Sequence, residues 1–326
     1  MYLMEGTNMG DEFSHGYALL IGVGESAYSK LSLPVTVKDT QAVYAALIDP
    51  ELCAYADDRE HIRVLNDRDA TKAAILDGLD WLKQKAESDP DSTVFVYYSG
   101  HGWLDKNTNI YYLIQHDIKP MKLTSSALTA QAFTDALRKI QAERLFVVID
   151  SCHAAGMASS KDADLELDEE FEDFVRVAPS KGFIDGLKGK GRVVFTSSEG
   201  EQQSLYVKSN SIYTYHFLEA LQGAGNMPGD TEVRVSNLMN YLGKTVPEAA
   251  RKLNGEQTPQ FDMTGGDFAI AKLCGGKGLP DKGWDEVKPQ ATQKINKIAD
   301  IINQHGKFIT NINKASNFHI GDVYNK

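Results

Sequence analysis

Short apolar runs alternate with helical stripes along most of the chain. Positions 17–21 (Tyr-Ala-Leu-Leu-Ile), 93–98 (Thr-Val-Phe-Val-Tyr-Tyr) and 145–149 (Leu-Phe-Val-Val-Ile) are continuous apolar segments of strand length. Their β-branched and aromatic content predicts strands buried on both faces. Positions 61–65, 192–196 and 268–272 read as further strands, and 110–114 as a short one suited to a hairpin. Between them the apolar spacing changes to three and four. Val43, Ala46 and Leu47 share a face of a helix over 38–48. Ile75, Leu79 and Leu82 do so over 71–86, and Phe133, Ala136, Leu137 and Ile140 over 128–140. Helices are also predicted over 212–221, 236–253 and 290–304, the last with Ile295, Ile298 and Ile302 aligned. This alternation predicts an α/β fold with a mostly parallel central sheet and helices on both faces.

The same pattern divides the chain. Residues 1–16 read as a poorly ordered lead-in, and 17–274 as one main domain. Within it, 158–191 breaks the alternation. Its first part, 161–173, carries eight acidic residues against one lysine; its second, 181–192, is rich in glycine and base. A span this long between two core strands is expected to be a functional or disordered loop. Residues 275–283, with their glycines, Pro280 and charges, read as a linker. Residues 284–326 form a C-terminal helix and tail, expected to recruit a partner or to dock on the domain.

Charge narrows the class of partner. The 326 residues carry a net charge of −11 with 24% charged and 42% hydrophobic content. That is ordinary for a globular chain, disfavours nucleic acid or anionic membrane as a bulk partner, and suits basic ligands. The three cysteines, Cys53, Cys152 and Cys274, are too scattered for a disulfide framework. With no signal-like apolar core at the start, a cytoplasmic setting is expected. Gly22-Val23-Gly24-Glu25-Ser26-Ala27 fits a dinucleotide-binding pattern, but that motif needs a helix opening at once. Ser29, Ser32 and Pro34 interrupt instead, so a plain glycine turn is expected.

Two strand ends carry candidate chemistry. The 93–98 strand runs into Ser99-Gly100-His101-Gly102, and the 145–149 strand into Asp150-Ser151-Cys152-His153-Ala154-Ala155-Gly156. The intervening segment has room for a crossover helix. Both strands would then lie parallel, with His101 and Cys152 side by side at the carboxyl edge, where α/β sheets place their ligand sites. A cysteine within a buried strand is usually an inert small hydrophobe; one just beyond it, among polar residues, suits a nucleophile. The pair SGHG and DSCHAAG resembles the caspase-like cysteine peptidases, closest to the metacaspase and bacterial caspase-like branch. A histidine roughly 50 residues before the cysteine is the caspase spacing. The resemblance spans about 17–272, and Gln257-Thr258-Pro259-Gln260-Phe261 resembles the closing stretch of these peptidases. Two departures stand out. Asp150-Ser151 replaces the Gln-Ala of animal caspases, and Ala155 stands where a glycine is more common.

The resemblance implies a caspase-like three-layer sandwich and a cysteine endopeptidase. Cys152 would be the nucleophile and His101 the acid that protonates the leaving amine. The backbone N–H groups of Gly102 and Cys152 would hold the oxyanion, with glycine leaving room for the carbonyl. Adjacent His153 would point away and only support. Asp150 shares a strand face with Cys152. In the metacaspase-like branch this aspartate and one near the start of the first helix receive the basic side chain before the scissile bond; Asp39 resembles the second. Ser99 and Ser151 would add hydroxyls. The plainer reading of Asp39 is a helix cap, and of Asp150 a solvated strand end. Cleavage after Arg or Lys is therefore expected. Regulation would lie in the loop after Cys152, with Arg176, Lys181, Lys188, Lys190 and Arg192 as possible self-cleavage sites. No cofactor is expected: Asp117 resembles one of the calcium-binding aspartates of several metacaspases, but the others are missing, and no zinc ligand pairs occur. The expected partners are a protein substrate with Arg or Lys and an activating or recruiting protein bound through 284–326. The alternative is a non-catalytic scaffold of the same fold recruited through its tail. A legumain-like asparaginyl peptidase is disfavoured, since no secretion signal is seen.

Overall fold

The computed structural model describes residues 13–119, 122–151, 174–179, 181–199, 202, 205–207 and 210–305. At its centre stand β1 (Gly16–Gly22), β2 (Ile62–Asn66), β3 (Thr93–Gly100), β7 (Arg144–Ser151), β9 (Arg192–Thr196) and β13 (Gln260–Asp262). They form one sheet in the order β13-β9-β7-β3-β1-β2. All neighbours are parallel except β13, which closes the edge antiparallel to β9. The expected boundaries shift by a residue or so at most of these strands.

Period-two alternation sorts the sheet into two faces. Ala18, Leu20, Phe95, Tyr97, Phe146 and Val148 point to one core. There they meet α1 (Val35–Ile48), α6 (Ile212–Leu221) and α7 (Val235–Lys252). Leu19, Ile21, Val94, Val96, Tyr98, Leu145, Val147 and Ile149 point to the other. That core holds α2 (Lys72–Ser88), α4 (Ala130–Arg138) and α5 (Lys181–Leu187). Each fully buried Leu, Ile or Phe here contributes about 1.5–3 kcal/mol by leaving water. Helices thus cover both faces of the parallel sheet, as its apolar strands require.

A second sheet, antiparallel and four-stranded, stands beyond the carboxyl end of β3. It runs in the order β6-β5-β4-β8. Its strands are β4 (Gly102–Asp105), β5 (Tyr111–Leu113), β6 (Leu128–Thr129) and β8 (Phe174–Arg176); α3 (Leu123–Ser126) precedes β6. Trp103, Tyr112, Ile114 and Leu123 make a small core on one side of it with Leu31. The hairpin partner expected at 110–114 is therefore real, and its mate is β4. Two short pairs complete the chain: β10 (Tyr206–Val207) with β11 (Asn210–Ser211), and β12 (Glu232–Arg234) with β14 (Ala269–Lys272).

Three expectations need correction. First, α1 opens at Val35 rather than 38, because Pro34 supplies the preset φ that suits a helix start. Second, the loop expected over 158–191 holds regular structure in its later part, β8 and α5. Phe174 is held among Trp103 and Tyr112, and Phe183 and Leu187 are buried. Residues 158–173 lie outside the described residues. Third, 275–283 is not a free linker: the Gly275 N–H donates to the Leu52 carbonyl, the Leu279 N–H to that of Asp230, and the Leu279 side chain is buried. It leads into α8 (Trp284–His305), which packs on α1 and α6 with Ala291 buried. Lys294 there bridges Asp49 and Glu51, each at 3.0 Å. The side chains of Ile295, Ile298 and Ile302, like the lead-in before residue 13 and the tail after 305, lie outside the described residues.

Candidate functional site

The strand faces decide what meets at the carboxyl edge. Ser99 and Asp150 follow Tyr97 and Val148 on the α1 side, and both are fully buried. The early start of α1 makes Asp39 its fifth residue, past the capping positions and turned inward. It too is fully buried, so neither Asp39 as a helix cap nor Asp150 as a solvated strand end describes the structure. The third contributor returns from far along the chain, at the junction of β11 and α6.

These side chains form one polar network. Asp39 Oδ1 accepts from Asn210 Nδ2 at 2.9 Å and from the Ser211 N–H at 3.1 Å. Its Oδ2 accepts from Ser99 Oγ at 3.3 Å. Asp150 Oδ2 accepts from Ser211 Oγ at 2.5 Å and from Thr214 Oγ1 at 2.9 Å. Thr214 in turn shares a 2.5 Å bond with the Tyr97 hydroxyl. Ser211 touches both carboxyls, one through its N–H and one through its hydroxyl, and also caps α6 by accepting the Thr214 N–H. Burial, then the nearby Asp150 charge, hold the Asp39 carboxyl well above the usual carboxylate range; the bonds from Asn210, Ser211 and Ser99 offset this only in part. Asp39 forms no ion pair among the described residues. Two carboxyls brought this close raise the cost of charging both.

Ser151 does not join them. One residue on from Asp150, it turns to the opposite face and accepts the Tyr111 hydroxyl at 3.2 Å. Asn210, Ser211, Thr214 and Tyr97 were not singled out in the sequence. A serine directly before the 212–221 helix was the available signal, as an N-cap.

The register places the two strand ends side by side. Ser99 pairs with Asp150, and Gly100 with Ser151; His101 and Cys152 are the next residues in sequence. Cys152 and His153 lie outside the described residues. His101 itself is buried at 4% exposure. Its backbone is fastened from two sides: the Tyr98 hydroxyl lies 2.8 Å from its carbonyl, and the Ile114 N–H donates to that carbonyl at 3.0 Å. The flanking glycines answer to tyrosines. A Cβ on Gly100 would meet the Tyr98 hydroxyl at 2.5 Å, and one on Gly102 would lie 1.7 Å from the Tyr111 hydroxyl. Space at Gly102 is therefore withheld by the protein's own hairpin.

The remaining candidates scatter. Arg176 ends β8, Lys181 opens α5 and Arg192 opens β9. The Arg192 guanidinium donates to the Arg138 carbonyl, and Lys188 bridges Asp185 and Asp262. Lys181, Lys188 and Lys190 are exposed, Lys190 in a turn, which makes them the more accessible of the five to a peptidase. Asp117 accepts the Lys72 N–H at 2.9 Å and so caps α2. Among the described residues no three His, Cys, Asp or Glu side chains are grouped to hold a metal, and no helix is long and apolar enough to cross a membrane. The glycine turn after β1 carries no helix start. Its Gly24 and Glu25 N–H groups are taken by the Asp67 carboxylate, which explains why the dinucleotide pattern is only a turn. Gln257, from the stretch 257–261, accepts from the Leu205 N–H and donates to the Ser197 carbonyl, holding the loop after β9.

The caspase-domain family model matches residues 15–266. No curated protein matches the sequence. Among solved structures, a protein from Geobacter sulfurreducens is 14% identical, covering 79% of this chain and 99% of its own, with a TM-score of 0.48. Pro-sf-caspase-1 is 12% identical, covering 80% of this chain and 96% of its own, with a TM-score of 0.43.

Proposed function

Because the chain belongs to the caspase-domain family of cysteine peptidases, we propose that it is an endopeptidase that cuts peptide bonds after Arg or Lys. The α/β sandwich described above is the caspase-like fold, and protein substrates go with the family. The observation that carries the finer reading is the buried pair of Asp39 and Asp150, next to the strand ends that lead into His101 and Cys152.

In this reading the guanidinium or ammonium of the substrate enters between the two carboxyls. Asp39 gives up its proton as the cation arrives, and the repulsion between the carboxyls becomes attraction. Anchoring that residue sets the following peptide bond before the nucleophile. The Cys152 thiolate attacks the carbonyl carbon, and the oxygen takes the charge against the N–H groups of Gly102 and Cys152. His101 gives a proton to the leaving amine. Water then releases the acyl group and restores the thiol. An acidic side chain at the same place would face two carboxyls and be rejected. Control by the segment after Cys152 is supported by its composition alone, and recruitment through 284–326 by its position after the family-matched residues.

The test is hydrolysis of fluorogenic peptides ending in Arg, Lys, Asp or Asn, by wild type, His101→Ala and Cys152→Ala. Turnover after Arg and Lys that falls by several orders of magnitude in both variants is expected. Equal turnover by all three proteins would discard the dyad. No turnover by wild type, with tight partner binding, would favour the scaffold alternative.

A further inference from the structure

Arg176 is the side chain that the proposed reaction leaves unexplained. It ends β8, and the register pairs it with Trp103 of β4, two residues beyond His101. Its guanidinium lies over the Trp103 ring, 5.7 Å from the centroid, and that ring is fully buried. Nε and one Nη are buried, and neither has a hydrogen-bond partner among the described residues. Arg63, Arg68, Arg138 and Arg234 each face a carboxylate. Among the described residues Arg176 forms no such pair, in a chain with a net charge of −11. Burial pulls its pKa down, and no acid among the described residues offsets this. Arginine does not deprotonate in proteins, so the charge stays, and a desolvated charge without a counter-ion is costly. Such a group is poised to gain from an anion that brings its own carboxylate.

The surroundings say which anion. The Val177 N–H donates to the Gly102 carbonyl at 3.2 Å, so the strand bearing Arg176 is stitched to the residue after His101. His101 serves the leaving amine in the proposed reaction, so the chain just beyond it flanks the residues after the cut. The Asp39–Asp150 pair takes the residue before it. We propose that Arg176, supported on Trp103, receives the carboxylate of a Glu or Asp side chain of the substrate on the leaving-group side of the scissile bond. This rests on the peptidase reading and adds to it a second charge requirement, opposite in sign to the first. A planar guanidinium stacked on an aromatic ring presents two parallel N–H donors to one carboxylate, a geometry that lysine cannot reproduce.

Binding separates this from turnover. Fluorescence anisotropy is measured on the full-length chain carrying Cys152→Ala, with labelled peptides that contain one Lys and carry Glu or Gln at each of the three following positions. Glu should bind at least tenfold more tightly than Gln at one of those positions. Adding Arg176→Gln or Arg176→Met should erase the difference, and Arg176→Lys should restore only part of it. The wild-type comparison of Glu with Gln needs no arginine variant, so a misfolded variant does not shelter the idea. Equal binding of Glu and Gln peptides overturns it. So does a preference that survives in a folded Arg176→Gln protein, or one confined to positions before the Lys. If the Glu preference appears as expected but protein with intact Cys152 cleaves none of these peptides, the peptidase reading fails and the acidic subsite stands.

Discussion

Asp39→Asn isolates the electrostatics of the candidate pocket. The substitution keeps the shape and can keep the bonds: the amide oxygen still accepts from Asn210 and Ser211, and the amide nitrogen can donate to Ser99 Oγ. What it removes is one of two carboxyls that share Ser211 as a partner. Two unit charges about 5 Å apart at an effective dielectric near 20 repel by about 3 kcal/mol. The folded protein escapes part of this by favouring the protonated form of Asp39, whose carboxyl is held above its ordinary value of 3.8. A carboxyl raised in the folded state favours folding fully below that ordinary value and loses the contribution as pH rises through the folded one. The substrate-free wild type is therefore penalised at neutral pH, and Asp39→Asn should be more stable there by about 1–3 kcal/mol, several degrees in Tm. The gain should shrink as pH falls toward 4. In the same protein, hydrolysis after Arg or Lys should drop at least tenfold, since half of the countercharge is gone. Thermal melts from pH 5 to 8, paired with peptide hydrolysis, read both effects. A variant less stable than wild type at pH 7.5, or a difference that does not vary with pH, would refute the repulsion argument.

For the wild type, the affinity for Arg and Lys peptides should rise from pH 5 to 8, because the proton on Asp39 opposes the incoming cation; a KM that is flat or increasing over that range would contradict this. Gly102→Ala should destabilise the domain by about 1–3 kcal/mol in urea melts. The new Cβ would fall 1.7 Å from the Tyr111 hydroxyl, and adding Tyr111→Phe should recover only part of the loss because a ring carbon remains at 2.6 Å. Deleting 284–326 should leave small-peptide cleavage in place but lower Tm by several degrees, since Val287 and Ala291 pack against the domain. Lys294→Ala alone should cost less than about 1 kcal/mol, because its bridges to Asp49 and Glu51 are partly solvated.

The elements that the sequence determined are those set by short-range rules. Continuous apolar runs of this length, rich in β-branched and aromatic residues, favour strands of a covered sheet, so β1, β3 and β7 were legible, and so was the place of His101 just beyond β3. The opposite facing of Ser151 followed from the same period-two rule that put Asp150 on the face of Cys152; it was available in the sequence and was not used. Asp39 was legible through the family resemblance, but its burial was not, because that depends on where α1 begins and on what covers it. The network around it was beyond reach for a physical reason. Asn210, Ser211 and Thr214 lie more than a hundred residues from Asp39 in sequence, and only the return of the chain through β11 and α6 brings them to one point. The fastening of 275–283 and α8 to α1 is likewise a long-range contact, invisible to composition that reads as a linker. The charge of Arg176, which no carboxylate among the described residues meets, is the plainest case. A sequence shows that an arginine is present; whether a carboxylate faces it is a property of space, settled only when distant strands pack.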